Sequence, residues 1–326
     1  MRKNGDKMQI IEISADYAGK RLDIALSQIL KISRAQIQEL LINKKIISAQ
    51  NKSHKNKYYN NKSYIVQTGD KFKYDDTKII KENPLSQIPV LYSDDEIIVV
   101  DKPARTATHP AKSWTGPDVW TSLIASGDLP KIEDSPFKNE EINPKNPEPL
   151  GTVSRLDALT SGVLLLCKTP ETYAIMMEAY KNHTDLEKRY LAVTEKHLKH
   201  PKGIVDAAIK RSLTHKFRFT IDDEGKKAIT HYEVKKSFAD CQLLDIELLT
   251  GRTHQIRVHF SHLGHPVLGD IFYGASPNLA EKYQLNRVFL HSASLKITHP
   301  KTGEKMHFQA PLPDELQNTL EIIKQK

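Results

Sequence analysis

Residues 155–167 read Arg-Leu-Asp-Ala-Leu-Thr-Ser-Gly-Val-Leu-Leu-Leu-Cys, which places one carboxylate, Asp157, on a turn before an apolar run. The Thr-Ser-Gly at 160–162 is typical of a tight turn, and the apolar residues 163–167 predict a strand buried on both faces. A carboxylate beside a buried strand is costly unless it is paired or accepts backbone hydrogen bonds. Asp157 is therefore either a residue that caps its own turn or a functional carboxylate, with Arg155 as a nearby cation.

The segment around Asp157 resembles the catalytic loop of the RluA-type pseudouridine synthases, which carries Arg-Leu-Asp, then Thr-Ser-Gly and an aliphatic strand. Four further blocks match that family in the expected order, and the resemblance covers roughly residues 88–315. The blocks are Leu-Tyr-Ser-Asp-Asp-Glu-Ile-Ile-Val-Val-Asp-Lys-Pro at 91–103, Arg-Tyr-Leu-Ala at 189–192, Thr-Gly-Arg-Thr-His-Gln-Ile-Arg-Val-His at 250–259 with Leu-Gly-Asp at 268–270 and Tyr-Gly at 273–274, and Leu-His-Ser-Ala at 290–293 with His-Pro-Lys-Thr-Gly-Glu at 299–304.

The resemblance implies an α+β fold, in which the catalytic core is a mixed, largely antiparallel sheet flanked by helices. It also implies that the protein converts specific uridines to pseudouridine in RNA. The N-glycosidic bond breaks, the uracil turns, and carbon 5 bonds to the ribose, so neither a cofactor nor a metal is expected. The target base has to be flipped out of its stack, at a cost on the order of a few kcal/mol when it is paired. Large-subunit ribosomal RNA is the expected substrate, and tRNA is an alternative.

The same resemblance implies three catalytic residues. Asp157 matches the essential carboxylate, Tyr190 matches a tyrosine that stacks on the target base and can take part in proton transfer, and Arg257 matches the guanidinium that keeps the carboxylate ionised. The sequence leaves open whether Asp157 adds to the sugar, adds to the base or acts as a base on the ribose. As isolated residues, Tyr190 and Arg257 could equally be a packing residue and a surface cation.

Four further residues are expected to bind the substrate. Arg155 matches a residue that can take the place of the flipped base, and alternatively it binds phosphate. Ile256 either shapes an apolar wall under the uracil or belongs to the core. Arg252 and His254 are expected to hold the loop or the RNA backbone. The chain departs from the family at Ser154, where a histidine is usual, and at residue 158, where alanine replaces a charged residue.

The formal charge of the chain, +8 at pH 7, lies in its first quarter. Residues 1–83 hold 17 Lys and Arg against 9 Asp and Glu, whereas residues 84–326 hold 31 of each. This asymmetry indicates a polyanionic partner held by the N-terminal part, although a basic face that is only solvated would have the same composition.

The N-terminal part also carries a helical pattern. Residues 22–30 place apolar side chains on one face of a helix, and a second helix is predicted from Ser33 because Gln36 completes a capping box. The pattern resembles the small RNA-binding module named after ribosomal protein S-four, an α/β module whose second helix presents cations to phosphates. That resemblance assigns Arg34, Lys44 and Lys45 to RNA binding, although residues 51–59 lengthen its usual hairpin.

The predicted domains follow from these patterns: an RNA-binding module at 13–75, a polar linker at 76–88 and a catalytic domain at 89–318 with a proline-rich surface insertion at 128–149. Strands are expected at 97–101, 162–167, 190–193, 242–248 and 289–297. A helix is expected from Thr253 to Leu263 and closed by Gly264.

Composition limits the class of protein further. Hydrophobic residues make up 39% of the chain, yet no apolar run approaches the ~20 residues of a membrane span, and the N-terminus lacks the apolar stretch of a signal peptide. Two cysteines predict neither a disulfide framework nor a zinc site. A cytoplasmic protein without membrane or metal is therefore expected. The resemblance implies RNA as its partner, and a monomer is expected.

Two alternatives from other classes stay open. The histidines at 254, 259, 262 and 265 have a spacing that could hold a metal, so a zinc hydrolase with Asp157 as a ligand is one of them. The other is a non-catalytic RNA-binding protein that assists ribosome assembly.

Overall fold

A computed structural model of the protein describes residues 8–30, 37, 41, 46–48, 64–75, 87–109, 114, 116–130, 151–215 and 217–325. They belong to two compact units, one drawn from residues 1–83 and 111–116 and a larger one drawn from residues 84–110 and 117–326. Arg34, Lys44 and Lys45 lie outside the described residues, as do the stretch at 51–59, most of the predicted linker and most of the predicted insertion.

The N-terminal unit is a three-stranded antiparallel sheet with a helix packed on it. Its described elements are β1 (Met8–Glu12), a 3-10 turn (Ala15–Tyr17), α1 (Leu22–Leu30), β2 (Ile46–Ser48) and β3 (Lys71–Asp75), and the strand order is β1-β3-β2. The expected apolar face of α1 is present, because Leu22, Ala25 and Leu26 are fully buried. They share a core with Ile37, Leu41 and Phe72.

The larger unit is built on a nine-stranded mixed sheet. Its strands are β4 (Val90–Ser93), β5 (Ile97–Lys102), β6 (Ser161–Cys167), β7 (Leu186–Glu195), β8 (Lys202–Asp206), β11 (Ile229–Ser237), β12 (Cys241–Leu248), β13 (Leu290–Thr298) and β14 (Lys305–Gln309), and a separate hairpin pairs β9 (Ile209–Arg211) with β10 (Phe219–Ile221). The strand order is β4-β5-β6-β13-β7-β12-β11-β8, with β14 paired to β13. Strand pairs within the sheet are antiparallel except β6 with β13, which is parallel.

Helices cover both faces of this sheet. They are α2 (Val119–Ser126), α3 (Pro170–Asn182), α4 (Gln255–His262), α5 (Pro277–Lys282) and α6 (Asp314–Gln325). One face packs against α2 and α4 through Trp120 and Phe260, and the other packs against α3 through Met176. The expected α+β fold, a mixed and largely antiparallel sheet flanked by helices, is confirmed.

Strand β6 has the double burial that its apolar run predicts. Leu164 and Leu166 enter the core on one face of the sheet, while Val163, Leu165 and Cys167 enter the core on the other. Because every residue of β6 is buried, the strand shows no alternation between apolar and polar residues. The turn that carries Asp157 therefore leads directly into a strand that is buried along its whole length.

The strands and the helix predicted in the larger unit are present with shifted ends, whereas the start of the second helix predicted from Ser33 lies outside the described residues. The strand expected at 190–193 extends over the ten residues of β7, and the helix expected from Thr253 begins instead at Gln255. His254 adopts a left-handed backbone conformation, with φ of 57°, so it precedes the helix rather than belonging to it. Among the described residues, no helix is long and apolar enough to cross a membrane.

Candidate active site

Asp157 lies on the turn that precedes β6, at the edge of an open pocket. A backbone hydrogen bond from Thr160 N to Asp157 O, 3.0 Å long, closes the turn. The pocket is open to solvent, and the empty space in and around it amounts to about 350 Å³. Its lining combines residues of the Asp157 turn with residues of β7, β12, the start of α4 and β13: Arg155, Leu156, Asp157, Thr160, Tyr190, Leu248, Arg252, His254, Gln255, Ile256, Arg257 and Leu290.

The Asp157 carboxylate is paired with the guanidinium of Arg257. Arg257 Nη1 donates to Asp157 Oδ2 at 2.9 Å, and only 18% of the Asp157 side chain is exposed. Burial by itself would raise the pKa of Asp157. The charge of His254 when it is protonated, the charges of Arg257 and Arg155 and the hydrogen bond from Arg257 outweigh burial and hold that pKa below its ordinary value. Asp157 is therefore ionised at neutral pH inside a largely enclosed site.

Arg257 is itself fixed by a second carboxylate, Asp270. Its Nε and Nη2 donate to the two carboxylate oxygens of Asp270 at 2.6 and 2.9 Å. The Asp270 side chain is 1% exposed. A bidentate pair of this kind restricts the orientation of the guanidinium as well as its position, so Asp270 presents Nη1 of Arg257 to Asp157.

His254 approaches Asp157 from the start of α4. Its Nε2 lies 3.7 Å from Asp157 Oδ1, and its Nδ1 forms a 2.8 Å hydrogen bond with the hydroxyl of Tyr273. Burial lowers the pKa of His254 below its ordinary value, so the imidazole is largely neutral at pH 7. Arg257 therefore supplies the permanent positive charge beside Asp157.

Tyr190 forms part of the apolar wall of the pocket. It projects from β7 into the core that also contains Leu248, Ile256 and Leu290, and its hydroxyl is hydrogen-bonded to Ser292. Burial, with a contribution from the charge of Asp157, raises the pKa of Tyr190 to about 12. The side chain is thus a neutral phenol at pH 7, and the wall it forms suits a planar, uncharged ring.

Two buried basic side chains hold the backbone of the Asp157 turn. Lys102 Nζ donates to the carbonyl oxygens of Thr106 at 2.6 Å and Ala158 at 3.4 Å. Arg287 donates to the carbonyl oxygen of Leu159 at 3.0 Å and to the hydroxyl of Ser161 at 3.1 Å. Both side chains are buried, so the turn has little freedom to move away from the pocket.

The remaining expected site residues line the pocket or lie outside the described residues. Arg155 and Arg252 are exposed and line the opening, while His254 and the buried Ile256 line the pocket further in. The structure thus brings Asp157, Tyr190 and Arg257 into one pocket with the four residues expected to bind substrate, while Arg34, Lys44 and Lys45 belong to the part that is not described.

The two departures from the family pattern have structural partners of their own. Ser154 is hydrogen-bonded to the Tyr180 hydroxyl, and residue 158 contributes its carbonyl oxygen to Lys102. Neither residue lines the pocket, so neither departure from the family pattern changes its wall.

The histidines that could hold a metal by their spacing point to different partners. His259 is bonded to Thr230 and to the Ala207 carbonyl, and His265 contacts the Glu195 carbonyl. Among the described residues, no group of three His, Cys, Asp or Glu side chains is arranged to hold a metal.

Four residues of the site had no predicted role: Lys102, Asp270, Tyr273 and Arg287. The first three stand in blocks that carry the family resemblance, so the motifs marked these positions but did not reveal which residues they contact. Arg287 lies outside those blocks, and nothing in the sequence marks it.

Comparisons with known proteins agree with this geometry. Residues 96–262 match the RNA pseudouridylate synthase family. An uncharacterized RNA pseudouridine synthase of Mycobacterium bovis is 40% identical over 235 residues, 72% of each chain. Ribosomal large subunit pseudouridine synthase D of Nitrosomonas europaea is 33% identical over 324 residues, covering 96% of this chain and 87% of that protein.

A solved structure shows the same fold. Human RNA pseudouridylate synthase domain containing 1 aligns with a TM-score of 0.54 at 23% identity, over 70% of this chain and 84% of that chain. The predicted resemblance to the RluA-type enzymes is confirmed by the family match and the relatives. The chain therefore belongs to the RNA pseudouridylate synthase family and is an RNA pseudouridine synthase.

Proposed function

We propose that this enzyme isomerises specific uridines to pseudouridine in large-subunit ribosomal RNA, with Asp157 as the essential carboxylate. The observation that carries the proposal is the pairing of Asp157 with an arginine that a second, buried carboxylate holds in place. The choice of RNA is supported by the Nitrosomonas relative, which is named for the large ribosomal subunit and aligns with nearly the whole chain.

The geometry suits a reaction that starts from an ionised carboxylate. Arg257 occupies Oδ2 of Asp157, which leaves Oδ1 as the oxygen that faces substrate. Whether that oxygen attacks the sugar, attacks the base or removes a proton from the ribose, the carboxylate has to be charged, and Arg257 maintains that charge. The reaction is an isomerisation: the bond from ribose carbon 1 to N1 breaks, the bond from the same carbon to C5 forms, and N1 gains a proton as C5 loses one.

Tyr190 and Ile256 fit the role of a surface for the uracil ring. Stacking of a base on an aromatic side chain contributes about 1–3 kcal/mol, which offsets part of the cost of flipping the base out of the RNA. A phenol with a pKa of about 12 is protonated at neutral pH and has no phenolate available to accept a proton, so we assign Tyr190 to stacking. We assign Arg155, which is exposed at the rim, to contact the RNA at the position from which the uridine has flipped out.

RNA recognition outside the pocket is assigned to the N-terminal unit. We propose that it acts as an RNA-binding module in which Arg34, Lys44 and Lys45 contact phosphates. The net charge of +8 on residues 1–83 supports this assignment.

The test is transcriptome-wide mapping of pseudouridine in cells that lack the protein. The cells are complemented with the wild type, with Asp157→Ala, or with Asp223→Ala as a control that removes an exposed carboxylate. We expect sites in large-subunit ribosomal RNA to disappear in the null strain and to return with the wild type and the control only. Sites confined to tRNA would overturn the assigned substrate, and full rescue by Asp157→Ala would overturn the role of Asp157.

A further inference from the structure

Strand β7 carries two adjacent cations with opposite surroundings. Arg189 lies 3.2 to 3.8 Å from three carboxylates, those of Glu187, Asp245 and Glu247. Lys188, by contrast, is only 7% exposed, and no carboxylate of the described residues lies within ion-pair distance of it. Its Nζ lies 5.4 Å from the centre of the Tyr180 ring. Lys188 is therefore a buried cation that has no counter-charge among the residues that the structure describes.

The position of Lys188 relates it directly to the pocket. Alternate residues of a strand project from the same face and are about 7 Å apart, so Lys188 lies on the face that carries Tyr190. Its Nζ also lies 3.9 Å from the point where a Cβ atom on Gly251 would stand. Gly251 immediately precedes Arg252, which lines the pocket. Lys188 is thus at the margin of the pocket, beside the turn that leads to α4.

Further cations gather at this margin. Arg252 Nε donates to the carbonyl oxygen of Lys227 at 3.0 Å, which keeps the two basic residues together. After burial, the charges of Lys188, Arg252 and Lys227 lower the pKa of His183, the residue that caps the end of α3. Within the described part of the chain, none of these four side chains forms an ion pair, so the cluster has no acidic partner.

Such an arrangement opposes folding, because like charges repel and a buried ammonium loses its hydration. Burial and the charge of Arg252 lower the pKa of Lys188 to about 8. Lys188 is therefore still protonated in most molecules at pH 7. An anion at this margin would supply the missing counter-charge. The substrate of an RNA pseudouridine synthase brings such an anion with every nucleotide, and backbone phosphates are bound mainly by Lys and Arg.

We propose that Lys188, Lys227 and Arg252 form a binding site for an RNA backbone phosphate next to the uridine held in the pocket. The inference rests on the proposed function, because it takes the pocket beside Asp157 as the site of the target uridine. His183 lies at the edge of the same cluster and borders the site. The phosphate would fix the distance between the backbone and the Tyr190 wall, so the site positions the flipped nucleotide rather than selecting its base.

The first experiment measures the affinity of the full chain for a fluorescent 12-nucleotide oligouridylate over a series of salt concentrations. We expect Lys188→Met to weaken binding about tenfold at low salt and to reduce the slope of log affinity against log salt by about 0.7, the value for one phosphate on a single strand. Lys188→Arg should keep the slope. The control is Lys296→Met, which removes an exposed lysine paired with Glu187 and should change nothing.

Thermal unfolding of the same variants separates binding from a structural role. Because Lys188 is buried without a counter-charge, Lys188→Met should unfold at the same temperature as the wild type or above it. A lowered unfolding temperature together with an unchanged salt slope would overturn the proposal, since Lys188 would then only stabilise the fold.

The second experiment needs only the wild type and Lys188→Met. Substrate RNAs that contain the uridine identified by mapping carry one neutral methylphosphonate linkage each, placed at successive positions. We expect one linkage beside the target to cost the wild type affinity and to cost Lys188→Met nothing further. Equal responses of the two proteins at every position would overturn the phosphate site. Failure of the wild type to convert the unmodified RNA would instead overturn the proposed function.

Discussion

The Asp157 carboxylate shares its arginine partner, Arg257, with a second carboxylate, that of Asp270. Asp270 forms two hydrogen bonds with Arg257 and Asp157 forms one, so the guanidinium is oriented before any substrate arrives. Preorganised charge of this kind needs no rearrangement at the moment of reaction. The Asp157 carboxylate is therefore already charged and held in a fixed orientation in the free enzyme.

The substitution Asp157→Asn tests the carboxylate with little change in shape. An amide is neither a base nor a nucleophile comparable with a carboxylate, so we expect turnover to fall by a factor of about 10⁴ or more. RNA affinity should stay within about twofold of the wild type, because the cations that bind phosphate are untouched. Single-turnover conversion and equilibrium binding of the same RNA measure the two quantities. An equal loss of both would make Asp157 a structural residue.

The substitution Arg257→Gln tests how the carboxylate is kept ionised. In the wild type the pKa of Asp157 is lowered, so activity should be constant from neutral pH down to the ordinary carboxyl range near about 4. Without the guanidinium, both its charge and its hydrogen bond no longer offset burial, so the pKa of Asp157 should rise and the acid limb of the rate profile should move to higher pH. The measurement is the single-turnover rate between pH 4.5 and 8, with circular dichroism at each pH, because unpaired Asp270 destabilises the fold by about 3–5 kcal/mol. A uniform loss at every pH would contradict this role.

The sequence located the proposed site residues better than the residues that support them. Asp157, Tyr190 and Arg257 stand in motifs whose order carries the family resemblance, and the structure brings all three into one pocket. Arg287 contacts Leu159 and Ser161, which are 128 and 126 residues away in the chain. Contacts over such separations depend on the packing of the sheet, and no local pattern encodes them.

At the element scale, the close approach of β6 and β13 requires a glycine at position 162. Gly162 has φ of 111°, and a Cβ atom there would lie 2.1 Å from the backbone oxygen of Ser292. An alanine side chain would therefore have to push β13 away from β6, at the point where the two strands pair in parallel. The same displacement would disturb the turn that carries Asp157.

The substitution Gly162→Ala should destabilise the protein by more than about 3 kcal/mol, because it combines backbone strain with a clash inside a packed core. Gly127→Ala is the matched control: Gly127 has φ of 86° but nothing within 4 Å of the added atom, so strain alone should cost about 1 kcal/mol. Urea unfolding of the two variants provides the comparison. Equal losses would mean that β6 and β13 can separate without cost.

The sequence predicted the elements that have a strong apolar pattern. It did not predict how strands that are distant in the chain pair with one another. Strand β6 follows from its apolar run, and β12 follows from the alternation of its residues, which are buried at every second position toward its end. The parallel pairing of β6 with β13 joins His291 to Ser161, and the intervening residues give no sign of it. The start of α4 was misplaced because His254 has a left-handed backbone conformation, which the periodicity of the sequence does not encode.

At the scale of the whole molecule, charge and chemistry are separated along the chain. Residues 84–326 carry no net formal charge, although they include the pocket, while residues 1–83 carry +8. Long-range attraction of RNA is therefore expected to come from the N-terminal unit, and the larger unit contributes short-range contacts at the pocket. This division predicts that affinity and turnover respond differently to salt.

The prediction for the whole molecule concerns the salt dependence of RNA affinity. Binding of the full chain to its substrate RNA should weaken steeply as salt rises, because each neutralised phosphate releases counterions. Replacing Arg34, Lys44 and Lys45 together by glutamine should reduce the slope by about 2, at about 0.7 for each single-stranded phosphate.

The matched control replaces Lys202, Lys235 and Lys296 by glutamine, three lysines of the larger unit that are paired with glutamates, and its slope should equal that of the wild type. The single-turnover rate at saturating RNA should be the same in both triple variants, because neither alters the pocket. An affinity that does not change with salt, or equal slopes for the two triple variants, would show that the basic N-terminal unit is not what holds the RNA.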